Sequence, residues 1–221
     1  MPRSSQSVSA LREVLAARFP EKARRPEGVL PTGIAPVDEA LGGGLPAGRL
    51  TELVSAAPSS GGQLVFFQLL LATRSARQRL ALVDGADGFD PQDAPPDALP
   101  HLVWARCAGA AQALAAAEIL VRDGNYAAVV LDVRGLPVRS LRQIPASGWY
   151  RLQRAAEGGA AAVLIQSTLP LVPGVPFRLV LPDSLPLEGA RSPRAGLAGR
   201  LRVEKARGHE EALPSTLGLT G

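Results

Sequence analysis

Cysteine, histidine and aromatic residues are scarce in this chain, and long apolar runs are missing. One cysteine, Cys107, among 221 residues excludes an intramolecular disulfide and suits a reducing cytoplasm. The two histidines, His101 and His209, stand apart from any Cys or carboxylate at ligand spacing, which argues against a metal centre. No apolar run reaches the roughly 18 residues of a membrane helix, and no apolar segment follows the first residues as a secretory leader would require. A cytoplasmic protein with no membrane association is therefore expected. The serines near position 60 lack the G-x-S-x-G elbow of a nucleophile. With aromatic residues at 4%, Trp104 reads as core. Trp149-Tyr150, flanked by Arg142, Arg151 and Arg154, reads as a surface able to stack on bases.

What is present points to one globular domain. Apolar residues make up 46% and charged residues 20%, enough to bury a single sizeable core. The net charge of +4 is unevenly placed. Residues 122–207 carry thirteen Lys/Arg against six Asp/Glu, whereas residues 1–121 carry eleven against twelve. The basic half is either a face for nucleic acid or an acidic partner, or the signature of an Arg-rich composition.

The segment Glu52-Leu-Val-Ser-Ala-Ala-Pro-Ser-Ser-Gly-Gly-Gln63 sits between strand-like and helix-like stretches, as a phosphate-binding loop does. In the form G-x-x-x-x-G-K-[ST], backbone amides cradle phosphates, Lys reaches the β/γ-phosphates and the hydroxyl holds Mg²⁺. Here Ala56 stands at the first Gly and Gly61 at the second. Gly62 stands at the Lys, and Gln63 at the Ser/Thr. Ser59 and Ser60 supply extra donors, and a helix N-terminus attracts phosphate without side chains, so weak ATP binding stays open. Ala56 is expected to restrict the backbone where Gly allows positive φ.

Periodicity places the other elements. Residues 7–19 put Leu11, Leu15 and Phe19 on one face of an amphipathic helix, followed by a basic linker to residue 28. A short helix over 36–41, a Gly turn at 42–44 and a strand over 49–54 precede the loop. Helices over 63–76, 109–123 and 147–158 alternate with strands over 79–84, 101–106, 126–133 and 160–166. Two last strands follow over 177–181 and 201–207. Residues 85–100 read as loop, and residues 208–221 as a flexible tail. Such alternation predicts an α/β fold with a mostly parallel twisted sheet flanked by helices.

The order of these motifs resembles the RecA ATPase core over about residues 29–207. The most specific part is Pro31-Thr-Gly-Ile-Ala-Pro-Val-Asp-Glu-Ala-Leu-Gly-Gly-Gly-Leu-Pro-Ala-Gly-Arg-Leu-Thr-Glu-Leu53. Asp84, Asp90-Pro91 and Gln112-Ala-Leu follow in the family's order, Asp132 falls at the Walker B position, and Gln166 lies near the polar sensor. The resemblance places the catalytic Glu at Ala86 or Asp87. Without the P-loop Lys, its hydroxyl neighbour and that acid, phosphoryl transfer loses charge neutralisation and a positioned water. The implied protein is a pseudo-ATPase with no required cofactor, and Asp132 is then a leftover strand-end acid.

Two further features are carried by the resemblance. The family's DNA-binding loops are short here, at 134–147 and 168–176, and its paired basic residues on the final strand correspond to Lys205 and Arg207. Trp149-Tyr-Arg-Leu-Gln-Arg-Ala-Ala-Glu-Gly-Gly-Ala-Ala-Ala-Val-Leu164 is similar to an element of the ImuA/SulA-like branch. That branch implies a non-catalytic adaptor in the DNA-damage (SOS) response, an accessory factor in error-prone translesion synthesis. Its partners would be RecA, an ImuB-like polymerase subunit, or DNA. Arg139, Arg142, Trp149, Arg151, Arg154, Lys205 and Arg207 would form the DNA- or partner-binding surface. The helix carrying Leu11, Leu15 and Phe19 would dock in cis or in trans, and a homo-oligomer fits the trans arrangement. A nucleotide-binding recombination or repair protein and a SulA-like division inhibitor are the alternatives.

Overall fold

The computed structural model describes residues 28–186, Leu197 and residues 200–205. The expected N-terminal helix with Leu11, Leu15 and Phe19, the linker, Arg207 and the tail lie outside the described residues, as does the side chain of Lys205.

The entry motif folds into a capped turn. Strand β1 (Val29–Leu30) pairs antiparallel with β2 (Leu45–Pro46), and helix α1 (Ala35–Ala40) lies between them. The Asp38 carboxylate accepts from the Thr32 amide and hydroxyl, both at 2.8 Å, and from the Gly33 amide at 3.2 Å. Through the Thr-Gly…Asp spacing the Asp38 side chain ties the turn ahead of α1 back to the helix, so this motif is a structural fastening. Gly42, Gly43 and Gly44 all take positive φ, which makes the expected turn.

The main sheet has seven strands: β3 (Leu50–Ser55), β4 (Leu80–Asp84), β5 (Leu102–Arg106), β6 (Ala128–Asp132), β7 (Ala162–Ser167), β8 (Phe177–Leu181) and β9 (Arg202–Lys205). Their spatial order is β5-β4-β6-β7-β3-β8-β9. All pair in parallel except β9, which runs antiparallel to β8. Helices α2 (Gly62–Ser75), α3 (Ala110–Asp123), α4 (Val138–Arg142) and α5 (Ala146–Glu157) flank the sheet, and Pro91–Asp93 and Leu99–His101 form short 3-10 turns. None of the described helices is long and apolar enough to cross a membrane.

Side chains alternate across the sheet and feed two cores. Leu80, Leu82, Val130 and Leu164 join the core shared with α1 and α2. Ala81, Val83, Val129, Leu131, Val163 and Ile165 join the core shared with α3 and α5. Burial on both faces explains why β6 and β7 read as unbroken apolar runs. Each fully buried Leu or Val contributes on the order of 1.5–3 kcal/mol of transfer free energy.

The Asp-rich loop after β4 is pinned from below. Asp84, which is buried, accepts from the amides of Ala86, Gly88 and Phe89 and from Trp104 Nε1. Phe89 packs edge-on against Phe66 and Trp104, with centroids 5.5 and 5.2 Å apart. Asp90 caps the short turn Pro91–Asp93 by accepting from the Gln92 amide at 2.8 Å. Trp104, partly buried, thus packs against the core.

Candidate functional site

The carboxyl ends of β3, β4, β6 and β7 surround an open cavity of about 500 Å³. Parallel α/β sheets place ligands at this end. Its lining includes residues 55–63, Asp84, Ala86, Asp132, Arg134 and Thr168. The loop leaves β3 at Ser55 and enters α2 at Gly62, through the N-cap Gly61 at φ 106°. The left-handed positions are Ser59, at φ 53°, and Gly61. Ala56 is not among them, so the expected restriction there does not arise; the loop takes its strain one turn later, at Ser59. The loop backbone is tied down by the Leu185 amide donating to the Ser59 carbonyl at 3.0 Å and Ser184 Oγ donating to the Pro58 carbonyl at 2.7 Å.

Arg134 holds the centre of the cavity. Its Nε donates to Asp132 Oδ1 at 2.9 Å and its Nη2 to Asp132 Oδ2 at 2.5 Å. Nη2 also reaches Gln63 Oε1 at 2.9 Å, and the Arg134 amide donates to Asp132 Oδ1 at 3.0 Å. One guanidinium therefore bridges the strand-end acid and the side chain at the Ser/Thr position of the loop. Gly62 makes room for it: a Cβ there would lie 2.6 Å from both Arg134 Nη1 and Ser55 Oγ. A second close approach lies beside it, where a Cβ on Gly135 would sit 2.6 Å from Ala86 Cβ. Gly62 and Gln63, two of the residues that depart from the P-loop pattern, are thus neighbours in one packed network around Arg134.

Gln166 completes the floor. It is fully buried, faces Asp132 across β6 and β7, and donates from Nε2 to the Gly62 carbonyl at 3.1 Å. Its Oε1 and the Ser55 hydroxyl are buried without a partner among the described residues.

This strand order, with the P-loop frame on the central strand and the acid at the end of its near neighbour, invites comparison with known proteins. Over 121 residues the chain is 38% identical to a Protein RecA of Nocardia farcinica, a match covering 52% of this chain and 34% of that protein. The corresponding values are 34% over 118 residues for Protein RecA of Mycolicibacterium smegmatis, and 32% over 118 residues for that of Streptomyces ambofaciens. Each of these matches covers 52% of the chain. The core is RecA-like. The match spans about a third of the length of those relatives, and no family model matches the chain.

Within this RecA-like core, neither residue at the position where the resemblance puts the catalytic Glu presents a carboxylate to the cavity. Ala86 lines the cavity, whereas Asp87 turns outward, with φ 56°, into a bidentate pair with Arg106 at 2.5 and 2.6 Å. Arg106 holds the Asp87 carboxyl below the usual carboxylate range. Cys107 is buried and free. Burial pushes its thiol pKa up, with the Asp84 charge adding to the shift.

The predicted basic surface divides under inspection. Arg139 and Arg142 on α4, and Arg154 on α5, are exposed. Arg151 is exposed too, but its Nε bonds Glu118 Oε2 at 3.2 Å, beside the Arg122–Glu118 pair. Trp149 does not belong to this surface. It is 3% exposed and packs with Leu152 and Ala156 in the sheet-facing core, so it cannot stack on a base; Tyr150, 53% exposed, is the aromatic that faces solvent. Lys205 lies on β9 by its backbone.

The segment 168–176, expected as a shortened DNA-binding loop, is clamped to the sheet. Glu52, fully buried on β3, accepts from the Leu171 amide at 2.6 Å and from Arg178 Nε at 2.8 Å. Arg178 Nη2 then donates to the Val172 carbonyl at 3.2 Å. Arg134, Ser55 and the Glu52–Arg178 clamp were missed by sequence reasoning. The available signal was an Arg two residues past the strand-end Asp132, opposite a glycine in the Lys position.

Proposed function

We propose that this chain is a non-catalytic RecA-like adaptor in the DNA-damage response, an ImuA-like accessory factor in error-prone translesion synthesis. It acts in the cytoplasm through protein partners, RecA or an ImuB-like polymerase subunit, with DNA as a further contact. The observation that carries this reading is the Arg134 bridge. Phosphoryl transfer needs a strand-end acid free to serve Mg²⁺ and a loop residue that binds the same ion. Here Asp132 and Gln63 are bound to one guanidinium instead, and Gly62 has no amine. Removing a single contact to developing charge costs roughly 3–4 kcal/mol of barrier, and several are missing together.

Likeness to RecA proteins supports the DNA-repair setting, and the exposed Arg139, Arg142 and Arg154, unpaired among the described residues, supply a face for phosphates or an acidic partner. The test is a pull-down from DNA-damaged cells, comparing the full chain with a deletion of residues 1–28. Recovery of RecA or an ImuB-like subunit by the full chain is expected. Recovery of the division tubulin, with filamentation on overexpression, would favour the SulA-like alternative and defeat the adaptor reading.

A further inference from the structure

A groove of about 550 Å³ runs between the first turns of α3 and the link from α4 into α5. It shares no lining residue with the cavity at the carboxyl ends of the strands. Ala111, Leu114 and Ala115 line it from α3, and Ile144 and Pro145 from the link, so its surface is mainly apolar. Gly148, the third residue of α5, lets the two helices approach, since a Cβ there would lie 2.6 Å from Leu114 Cδ2. Glycine inside a helix is less favourable than alanine, so this approach is made against local propensity. Ile119, Val138 and Tyr150, three of the four large apolar side chains exposed among the described residues, belong to these same helices. Helices α1 and α2, on the other side of the sheet, carry none of them. An apolar groove on a layer that also exposes large apolar side chains is suited to contact with another protein.

Charge narrows the occupant. Residues 138–157 hold four arginines and a single acid, Glu157. Arg139, Arg142 and Arg154 are exposed and unpaired among the described residues. Arg151 lines the groove, and it shares the Glu118 carboxylate with Arg122. One carboxylate between two guanidiniums leaves the rim positive. Residues 1–27 carry six Lys/Arg against three Glu, the same sign as the rim, so charge disfavours the chain's own N-terminal segment. A phosphodiester backbone matches the charge but gains nothing from an apolar floor. A peptide with an apolar side chain beside carboxylates matches both.

We infer that this groove is a docking site for an acidic segment of a partner protein. One apolar side chain of that segment enters against Leu114 and Ile144, and flanking carboxylates pair with Arg142 and Arg151. The inference rests on the adaptor reading and names the surface through which the adaptor holds a partner.

A random peptide library displayed on phage, panned against the immobilised full chain, is the probe. Enriched sequences should place a large apolar residue beside Asp or Glu. A synthetic peptide of the leading sequence should bind the full chain saturably in fluorescence anisotropy. Ala115→Trp, which fills the groove from an exposed helix position, should weaken that binding about tenfold or more. Arg142→Glu should weaken it about fivefold at low salt and less at high salt. Both positions are exposed, so either variant reports on the site if the other folds poorly. No enrichment, enrichment of basic or uncharged sequences, or binding that neither substitution alters would overturn the inference. So would a single-stranded oligonucleotide whose binding is lost in Ala115→Trp, because the groove would then take a base. The adaptor reading answers to a separate result. RecA or an ImuB-like subunit recovered equally by the parent and the Ala115→Trp chain would overturn the groove as their dock and leave that reading standing. Recovery of neither by the parent, with peptide binding intact, would defeat the reading and leave the groove.

Discussion

Replacing Arg134 with Ala should destabilise the fold even though the residue lines an open cavity. The substitution removes two charge-assisted bonds to Asp132 and one bond to Gln63, leaving Asp132 without its counter-charge. Exposed ion pairs contribute at most about 1 kcal/mol, whereas breaking a buried pair costs about 3–5 kcal/mol. Both side chains here are 21% exposed, which places the loss between these limits, near 2 kcal/mol. For a chain of this size each kcal/mol moves the melting temperature by roughly 2–4 °C, so a fall of about 4–8 °C is expected by calorimetry. Asp132→Asn should cost a similar amount. The two losses should not add, because they remove the same contact, and the double mutant should fall short of the sum by about 1–2 kcal/mol. Arg154→Ala, at an exposed position unpaired among the described residues, serves as the control and should stay within about 0.5 kcal/mol of the parent. A shift below about 1 °C for Arg134→Ala, or strict additivity with Asp132→Asn, would refute the claim that the bridge is a structural fastening.

Restoring the P-loop Lys with Gly62→Lys should lower the melting temperature and leave ATP hydrolysis undetectable, because the new Cβ collides with Arg134 Nη1 and Ser55 Oγ; a gain of turnover would contradict the packing account. Reversing charge at Arg139, Arg142 and Arg154 should reduce DNA affinity and flatten its salt dependence, each lost phosphate contact lowering the slope by about one; an unchanged slope assigns this face to a protein partner. Cys107 should react slowly with a thiol reagent near neutral pH in the native protein and rapidly in urea, since its pKa is raised in the fold and the thiolate is the reactive form. Glu118 has a carboxyl pKa lowered first by Arg122 and then by Arg151. Its contribution is therefore present above the unfolded carboxylate pKa and lost as pH falls through the folded value, and Glu118→Gln should flatten that acid limb of the stability profile.

The fold was legible where local pattern and burial agree. The apolar runs of β6 and β7 are buried on both faces and so could be read directly, as could the Gly turn at 42–44. The two-residue ribbon of β1 and β2 and the five-residue α4 are too short for any period to register. The antiparallel direction of β9 depends on a connection whose geometry no local pattern encodes. Trp149 is instructive because its burial was visible in sequence: Leu152 and Ala156 follow at helical spacing on the same face. Its arginine neighbours suggested nucleic-acid contact, but Arg151 and Arg154 lie on the exposed side of α5 and Arg142 on α4.

The candidate site divides along the same line. The loss of P-loop side chains at Gly62 and Gln63 is a statement about residue identity and needs no structure. What replaced them is a contact between residues 71 positions apart, Gln63 and Arg134, which only the parallel order of β3, β7 and β6 brings together. Ala86 shows the same logic: it looks like a missing functional group alone, and it lies in close approach to Gly135, where an added Cβ would sit 2.6 Å from its own. Glu52 gave no signal because a carboxylate in an apolar strand is explained only by its partner, Arg178, on the adjacent strand.

The central claim is that this RecA-like core has exchanged ATP chemistry for an internal fastening, and ATP hydrolysis measures it most directly. Purified full chain should show no phosphate release above buffer with Mg²⁺, with or without single-stranded DNA, and Asp132→Asn should give the same result. Mg²⁺-dependent turnover by the parent chain that disappears in Asp132→Asn would contradict the account.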